Sequence, residues 1–280
     1  MLSGNYLLAA AGVVGLVVGS FLNVVIFRLP IMLERQWQRE SGKSSPADTK
    51  TYNLVLPPSA CPACGRKIPP QENIPVLSWL ALRGRCAGCK ARISPRYPAV
   101  ELLTAALSIL VAWRFGATPT CAGALLLTWT LIAAAGIDLS HYILPDNLVL
   151  PLLWAGLLFN LFDTYVPLFD AVIGAVAGYL VLWIVYQLFR LTTGKEGLGY
   201  GDFKLLAALG AWLGWRMLPL IVLGAAAMGI IFGGAWLIAS RRGRAHPVPF
   251  GPFLAAGGLL ALFAGPLIEQ AYLAWTLPGH

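Results

Sequence analysis

An aspartate stands behind two closely spaced glycines in Gly197-Leu198-Gly199-Tyr200-Gly201-Asp202-Phe203-Lys204, between two strongly apolar segments. A carboxylate at the edge of a membrane is costly to keep there and points to function by default. Glycine lets another chain come close, which suits a site that must take in a polypeptide. The signal is short, because a glycine turn opening a helix with an aspartate in its first turn is also a common structural device. Peptide hydrolysis driven by carboxylates alone, without a metal, needs a second one beside the first. Of two carboxyls sharing one water, one stays protonated as the acid while the other takes the water's proton.

Two further aspartates qualify as the partner. Ala134-Ala135-Gly136-Ile137-Asp138-Leu139-Ser140-His141 closes one apolar segment, and Leu144-Pro145-Asp146-Asn147 opens the next. Asp146 follows a proline at a helix start, where it is expected to cap free backbone N–H groups and oppose the helix dipole. Asp138 closes an inbound helix, where a negative charge works against the dipole, so its presence asks for another reason. That comparison favours Asp138, although the residues alone leave both open.

A second constellation is sulfur. Cys61-Pro62-Ala63-Cys64-Gly65 and Cys86-Ala87-Gly88-Cys89-Lys90 form two knuckles with 21 residues between them, just beyond the spacing of about 15–20 usual for a four-thiolate zinc site. Each knuckle aims two thiolates at one tetrahedral ion, with Gly65 and Gly88 expected to allow the tight turns. Redox cysteine pairs are the rival reading. Four protein ligands leave no position for substrate, so the zinc (Zn2+) expected on Cys61, Cys64, Cys86 and Cys89 is structural. Free thiols of this kind favour a reducing compartment. Cys121 lies apart, in an apolar run.

The elements that must position these residues are helices in a membrane. The chain has 280 residues, 58% hydrophobic and only 11% charged, a composition that excludes an ordinary soluble domain. Eight apolar segments, 5–27, 99–116, 120–139, 147–163, 168–190, 203–216, 217–239 and 254–275, predict an all-α polytopic membrane protein with about eight transmembrane helices. The sixth is short, which sets Asp202 slightly inside the boundary. No basic residue precedes the first segment and Arg28 follows it, the reverse of a cleaved signal peptide, so a retained helix is expected. Gly15 and Gly19 within it have the spacing of a close-packing face.

Charge sets the orientation. With the N-terminus periplasmic, 18 of the 20 Lys and Arg fall on one side, and only Arg114 and Arg216 on the other. The positive-inside rule then makes segment 28–98 cytoplasmic. The organisation expected is a first helix over 1–27, a cytoplasmic loop with the cysteine module over 28–98, and a seven-helix membrane domain over 99–280. The net charge of +8 is thereby explained without nucleic acid. Ser41-Gly42-Lys43-Ser44-Ser45-Pro46 reads as a flexible stretch; it lacks the strand and first glycine of a phosphate-binding loop.

These residues together resemble the bacterial type IV prepilin leader peptidases, membrane aspartyl proteases of the Gly-x-Gly-Asp group. The resemblance runs through Gly19-Ser20-Phe21-Leu22-Asn23-Val24-Val25, the two knuckles, Glu72-Asn73-Ile74-Pro75, Arg96-Tyr97-Pro98 with Glu101, Ile137-Asp138, Leu144-Pro145-Asp146, Gly199-Tyr200-Gly201-Asp202-Phe203-Lys204 and Pro249-Phe250-Gly251-Pro252. It implies that Asp138 and Asp202 are the catalytic pair of an enzyme in the bacterial inner membrane. The implied substrates are type IV prepilins and type II secretion pseudopilins, whose short basic leaders are cut after a glycine. It implies further that the new N-terminal residue is N-methylated from S-adenosylmethionine. No glycine-rich loop marks where that donor binds.

Segment 28–98 carries 12 Lys and Arg against four acids, so it repels a basic leader. Recognition is expected to rest on the substrate's apolar helix in the bilayer, with the basic residues touching anionic membrane lipid. Glu101 could meet the leader's charge or cap the second apolar helix, and capping is the reading favoured. Two other classes weigh against the peptidase. An ion-coupled transporter would place its acids near the bilayer midplane in symmetric broken helices, whereas these cluster at one face. A non-enzymatic assembly factor would use the zinc loop to dock a partner.

Overall fold

The computed structural model describes residues 4–42, 51–195, 197–234 and 248–276. Every apolar segment expected from the sequence carries a helix: α1 (Gly4–Glu40), α3 (Arg96–Phe115), α4 (Pro119–His141), α5 (Asp146–Asn160), α6 (Leu168–Thr193), α7 (Tyr200–Leu213), α8 (Leu218–Met228) and α9 (Gly251–Thr276). A short α2 (Leu77–Ala81) lies in the polar segment. Among the described residues no strand is formed, only two isolated bridges. The protein is therefore all-helical.

Five helical stretches, Gly4–Glu40, Arg96–Phe115, Pro119–His141, Leu168–Thr193 and Trp215–Phe232, are long and apolar enough to cross a membrane. Asp146–Asn160 and Gly251–Gly265 are apolar but shorter. The 14 residues of α7 rise only about 21 Å against a hydrocarbon core of about 30 Å. Among the described residues, length and composition together support five of the eight expected spans. The end of the expected 217–239 segment, most of the 240–253 connection and most of the 41–46 stretch lie outside the described residues.

Two compact units divide the chain, residues 1–121 and 122–280. In the first, α1 packs along α3. A Cβ built on Gly15 would come 2.7 Å from the Ala105 Cα, and one on Gly19 would come 2.7 Å from the Glu101 Cα. The absent side chains let the two backbones approach, the packing device expected from that spacing. Asn23 donates from Nδ2 to the Tyr97 carbonyl at 3.0 Å, and Arg28, buried on α1, donates to the Asn53 carbonyl at 3.0 Å. Glu101 is not the cap expected. It lies more than a turn inside α3 with 8% exposure, and its Oε2 accepts the Val76 N–H at 2.8 Å.

In the second unit α7 is the central helix. From Asp202 to Leu213 all side chains but Lys204 are buried, as expected of a helix apolar all round. It packs on α6 through a backbone approach at Gly174 and Gly210, and on α5, where Trp212 donates from Nε1 to the Leu152 carbonyl at 2.8 Å. Its far end is held by Asn160, fully buried. That amide donates to the Ala211 and Trp212 carbonyls and accepts the Tyr165 and Val166 N–H groups. Every polar atom of this side chain is thus satisfied, which is what makes a buried amide a firm pin. At the near end Tyr200 and Phe203 stack with Tyr179 and Tyr186 of α6. Pinned at both ends, α7 presents Asp202 in a fixed place.

Candidate active site and cysteine centre

The ends of four helices meet around the acidic residues of the second unit. Asp202 sits in the first turn of α7, where its Oδ2 accepts the Gly199 N–H at 3.2 Å. This is the common structural device that the glycine turn allowed for, and it holds the carboxylate over the helix start. Asp138, near the end of α4, directs Oδ2 at the Gly251 N–H, which donates at 2.9 Å. Gly251 is the first residue of α9. The carboxylate that opposes its own helix dipole thus lies at the positive end of another, which is the reason its position called for.

Asp138 is 5% and Asp202 8% exposed. Leu144 fills the space between the helix starts: a Cβ on Gly201 would come 2.7 Å from the Leu144 Cβ. One on Gly251 would come 3.1 Å from Leu144 Cδ2 and 2.7 Å from the Asp138 Oδ2. Glycine at 251 is therefore a matter of space for the Asp138 carboxylate. Two buried carboxyls gathered at one cluster of helix ends suit a pair in which one remains a proton donor while the other serves as base.

Asp146 is placed differently. It makes no capping hydrogen bond to α5, contrary to expectation. The structure turns both its oxygens toward Lys204 Nζ at 2.7 and 2.8 Å. An ion pair with both partners partly exposed leaves Asp146 occupied, while its place in the first turn still suits the dipole of α5. Neither the Lys204 pairing nor the Gly251 donor followed from the sequence; the only trace was that both residues fall in stretches shared with the resembling family.

The four cysteines come together in the first unit. Their Sγ atoms all lie within 4.8 Å of one another, with Cys61 and Cys89 at 3.8 Å. A tetrahedral zinc with bonds of about 2.3 Å separates its sulfurs by about 3.8 Å. The two knuckles repeat one another. The Cys61 N–H donates to the Arg66 carbonyl and the Gly65 N–H to that of Cys61. The Cys86 and Lys90 N–H groups do the same with Ala91 and Cys86. The bridges Ala60 with Lys67 and Arg85 with Arg92 close the two loops. The tight turn of the second knuckle falls on Lys90 (φ 60°), the counterpart of Gly65 (φ 70°), and not on Gly88.

The N–H groups of Cys64 and Ala63 lower the Cys61 thiol below its ordinary value. Those of Cys89 and Gly88 lower Cys86 to about 6. Donors aimed at sulfur favour the thiolate at these two, the form that binds metal, while the crowding sulfurs of Cys64, Cys61 and Cys86 push Cys89 up to about 11. The cluster fits zinc in its donor set and in its spacing.

These elements define a polytopic helical membrane protein with a buried pair of aspartates and a four-thiolate cluster. The first part of the chain, residues 13–115, matches the bacterial peptidase A24 N-terminal domain, and residues 125–234 match the type IV leader peptidase family. The prepilin leader peptidase/N-methyltransferase of Aeromonas salmonicida is 57% identical over 94% of this chain and 92% of its own. That of Aeromonas hydrophila is 56% identical, over 92% and 91%, and that of Pseudomonas aeruginosa 55%, over 94% and 92%. No solved structure matches. The chain belongs to the type IV leader peptidase family.

Proposed function

We propose that this chain is a prepilin leader peptidase and N-methyltransferase of the bacterial inner membrane, with Asp138 and Asp202 as its catalytic pair. The observation that carries the peptidase reading is the meeting of these two carboxyls, each tied to a backbone N–H at the start of a helix. Relatives similar over more than nine-tenths of the chain carry both activities in their names.

In the proposed reaction one aspartate holds a proton and the other is ionised. The ionised carboxyl takes a proton from a water that attacks the scissile carbonyl. The protonated one donates to the departing amine, and the pair ends with its proton exchanged between members. The pair titrates as a unit, so a pH profile reports the dyad rather than either residue. Peptide binding is attributed to apolar contact between the substrate helix and membrane helices, the polar loop being too basic to attract a basic leader.

Cys61, Cys64, Cys86 and Cys89 hold zinc in this reading. The closed set leaves the ion a role in ordering residues 60–92 rather than in hydrolysis. S-adenosylmethionine is the proposed methyl donor. No step of the methyl transfer is assigned to particular side chains. The positive-inside count supports residues 28–98 in the cytoplasm and the N-terminus in the periplasm.

The test is incubation of the purified protein with a prepilin, followed by mass spectrometry. The expected result is loss of a leader-sized mass and then gain of one methyl group. Asp138→Asn and Asp202→Asn should each abolish cleavage while the protein stays folded and zinc-loaded. Cleavage retained by either variant overturns the assignment.

A further inference from the structure

The polar segment carries two apolar tips whose side chains face outward. One is Val55 and Leu56; the other is Ile74, Leu77 and Leu80, in and before α2. Val55 is 77% exposed, Leu77 64% and Leu80 58%, which in water would be an unfavourable place for so many large aliphatic groups.

Each tip hangs from a buried polar group of a membrane helix. Arg28 of α1 donates to the Asn53 and Leu54 carbonyls. Glu101 of α3 accepts from Val76, holding it at φ 58°, a conformation that β-branched residues rarely adopt. The attachment points fix the depth. Glu101 lies against Gly19 of α1, nine residues before Arg28, which is about 13 Å along the helix. A glutamate side chain spans less than half of that distance. Val76 is therefore held beside the apolar run of α1, not beyond its end.

Many of the backbone groups at both tips are already paired within the protein. Asn53 Oδ1 accepts the Val55 and Leu56 N–H groups. At the second tip Ile74 donates to Ser78 Oγ and Val76 to Glu101. Leu77, Ser78, Leu80 and Leu82 donate to carbonyls of Pro75, Ile74, Val76 and Ser78. Internal pairing of this kind is what permits non-helical backbone to enter an apolar medium. The charge agrees with it: residues 51–95 carry six Lys and Arg against Glu72 alone, a surface suited to anionic headgroups.

We infer that residues 53–56 and 74–80 are membrane-inserted tips that fasten the cysteine module to the anionic leaflet from which α1 and α3 emerge. The occupant of this apolar surface is lipid acyl chain, with phosphate headgroups meeting the flanking basic residues. The inference does not rest on the proposed enzymatic activities.

The test uses the full-length protein in bilayers of phosphatidylcholine and phosphatidylglycerol doped with a phospholipid bearing a diazirine on its acyl chain. After illumination, tryptic peptides 51–66 and 68–83 should carry lipid adducts in yields like those of the α3 peptide. Peptides from around the second knuckle should carry none. Leu77→Asp with Leu80→Asp should lose the adducts on 68–83 with zinc content unchanged. Absence of adducts from both loop peptides overturns the inference. So does their displacement by an added prepilin helix, which would make the surface a substrate site.

Discussion

Replacing Gly251 by alanine should damage the proposed hydrolysis out of proportion to its effect on folding. The new Cβ would lie 2.7 Å from the Asp138 Oδ2 and 3.1 Å from Leu144 Cδ2. Ordinary contact is nearer 3.4 Å, so the carboxylate must retreat by about half an ångström or more, and the 2.9 Å bond from the Gly251 N–H lengthens with it. A hydrogen bond to a charged group contributes about 1.5–3 kcal/mol, and a displacement of about 1 Å at a reacting group costs about 100-fold in rate. Together these place the expected fall in kcat between about 10-fold and 100-fold. KM should change little, because the substrate's apolar helix does not depend on this contact. Alanine also suits a helix better than glycine by up to about 1 kcal/mol, so thermal stability should not fall. The assay is single-turnover cleavage of a prepilin in detergent, with zinc content and melting measured on the same sample. Wild-type kcat, or a loss matched by unfolding, refutes the reasoning that Gly251 positions Asp138.

Other outcomes follow from the same geometry. Asp146→Asn should keep cleavage, since Asp146 is taken up by Lys204, and Lys204→Met should cost less than about 1 kcal/mol of stability because the pair is partly exposed; denaturation and the mass assay check both, and abolished cleavage in Asp146→Asn would restore it as a dyad candidate. Cys61→Ser with Cys64→Ser should release the zinc and disorder residues 60–92, lowering methylation more than proteolysis. Metal analysis with both product masses reads this, and complete loss of proteolysis in a well-folded variant contradicts it. Lys90→Gly should relieve the φ of 60° by about 1 kcal/mol, seen as tighter zinc retention against a chelator.

Much of the architecture was legible before any coordinates. Apolar runs of bilayer length fixed the helices, because a chain with this little charge must satisfy its backbone internally. The cysteine spacing brought four thiolates together because each knuckle is a local structure, needing only a few residues to form. Gly15 and Gly19 marked a close-packing face on α1 because small residues let another backbone approach, but that spacing did not name α3 as the helix that fills it.

What stayed hidden depended on residues distant in the chain. Asp146 and Glu101 looked like caps because capping is the local option for an acid near a helix start. Tertiary packing gave them Lys204, 58 residues away, and Val76, 25 residues away. Gly88 looked like the turn residue because it is a glycine, yet the repeated hydrogen-bond pattern of the knuckle puts the positive φ on Lys90.

The sequence by itself determined that this is a helical membrane protein, where its chemistry-bearing residues stand along the chain, and that Asp138 opposes the dipole of its own helix and so asked for some other reason to be there. Only the tertiary structure supplied a donor that meets it. The Gly251 N–H at the start of α9 lies 113 residues beyond Asp138, and no local pattern records which helix end will be packed against which carboxylate.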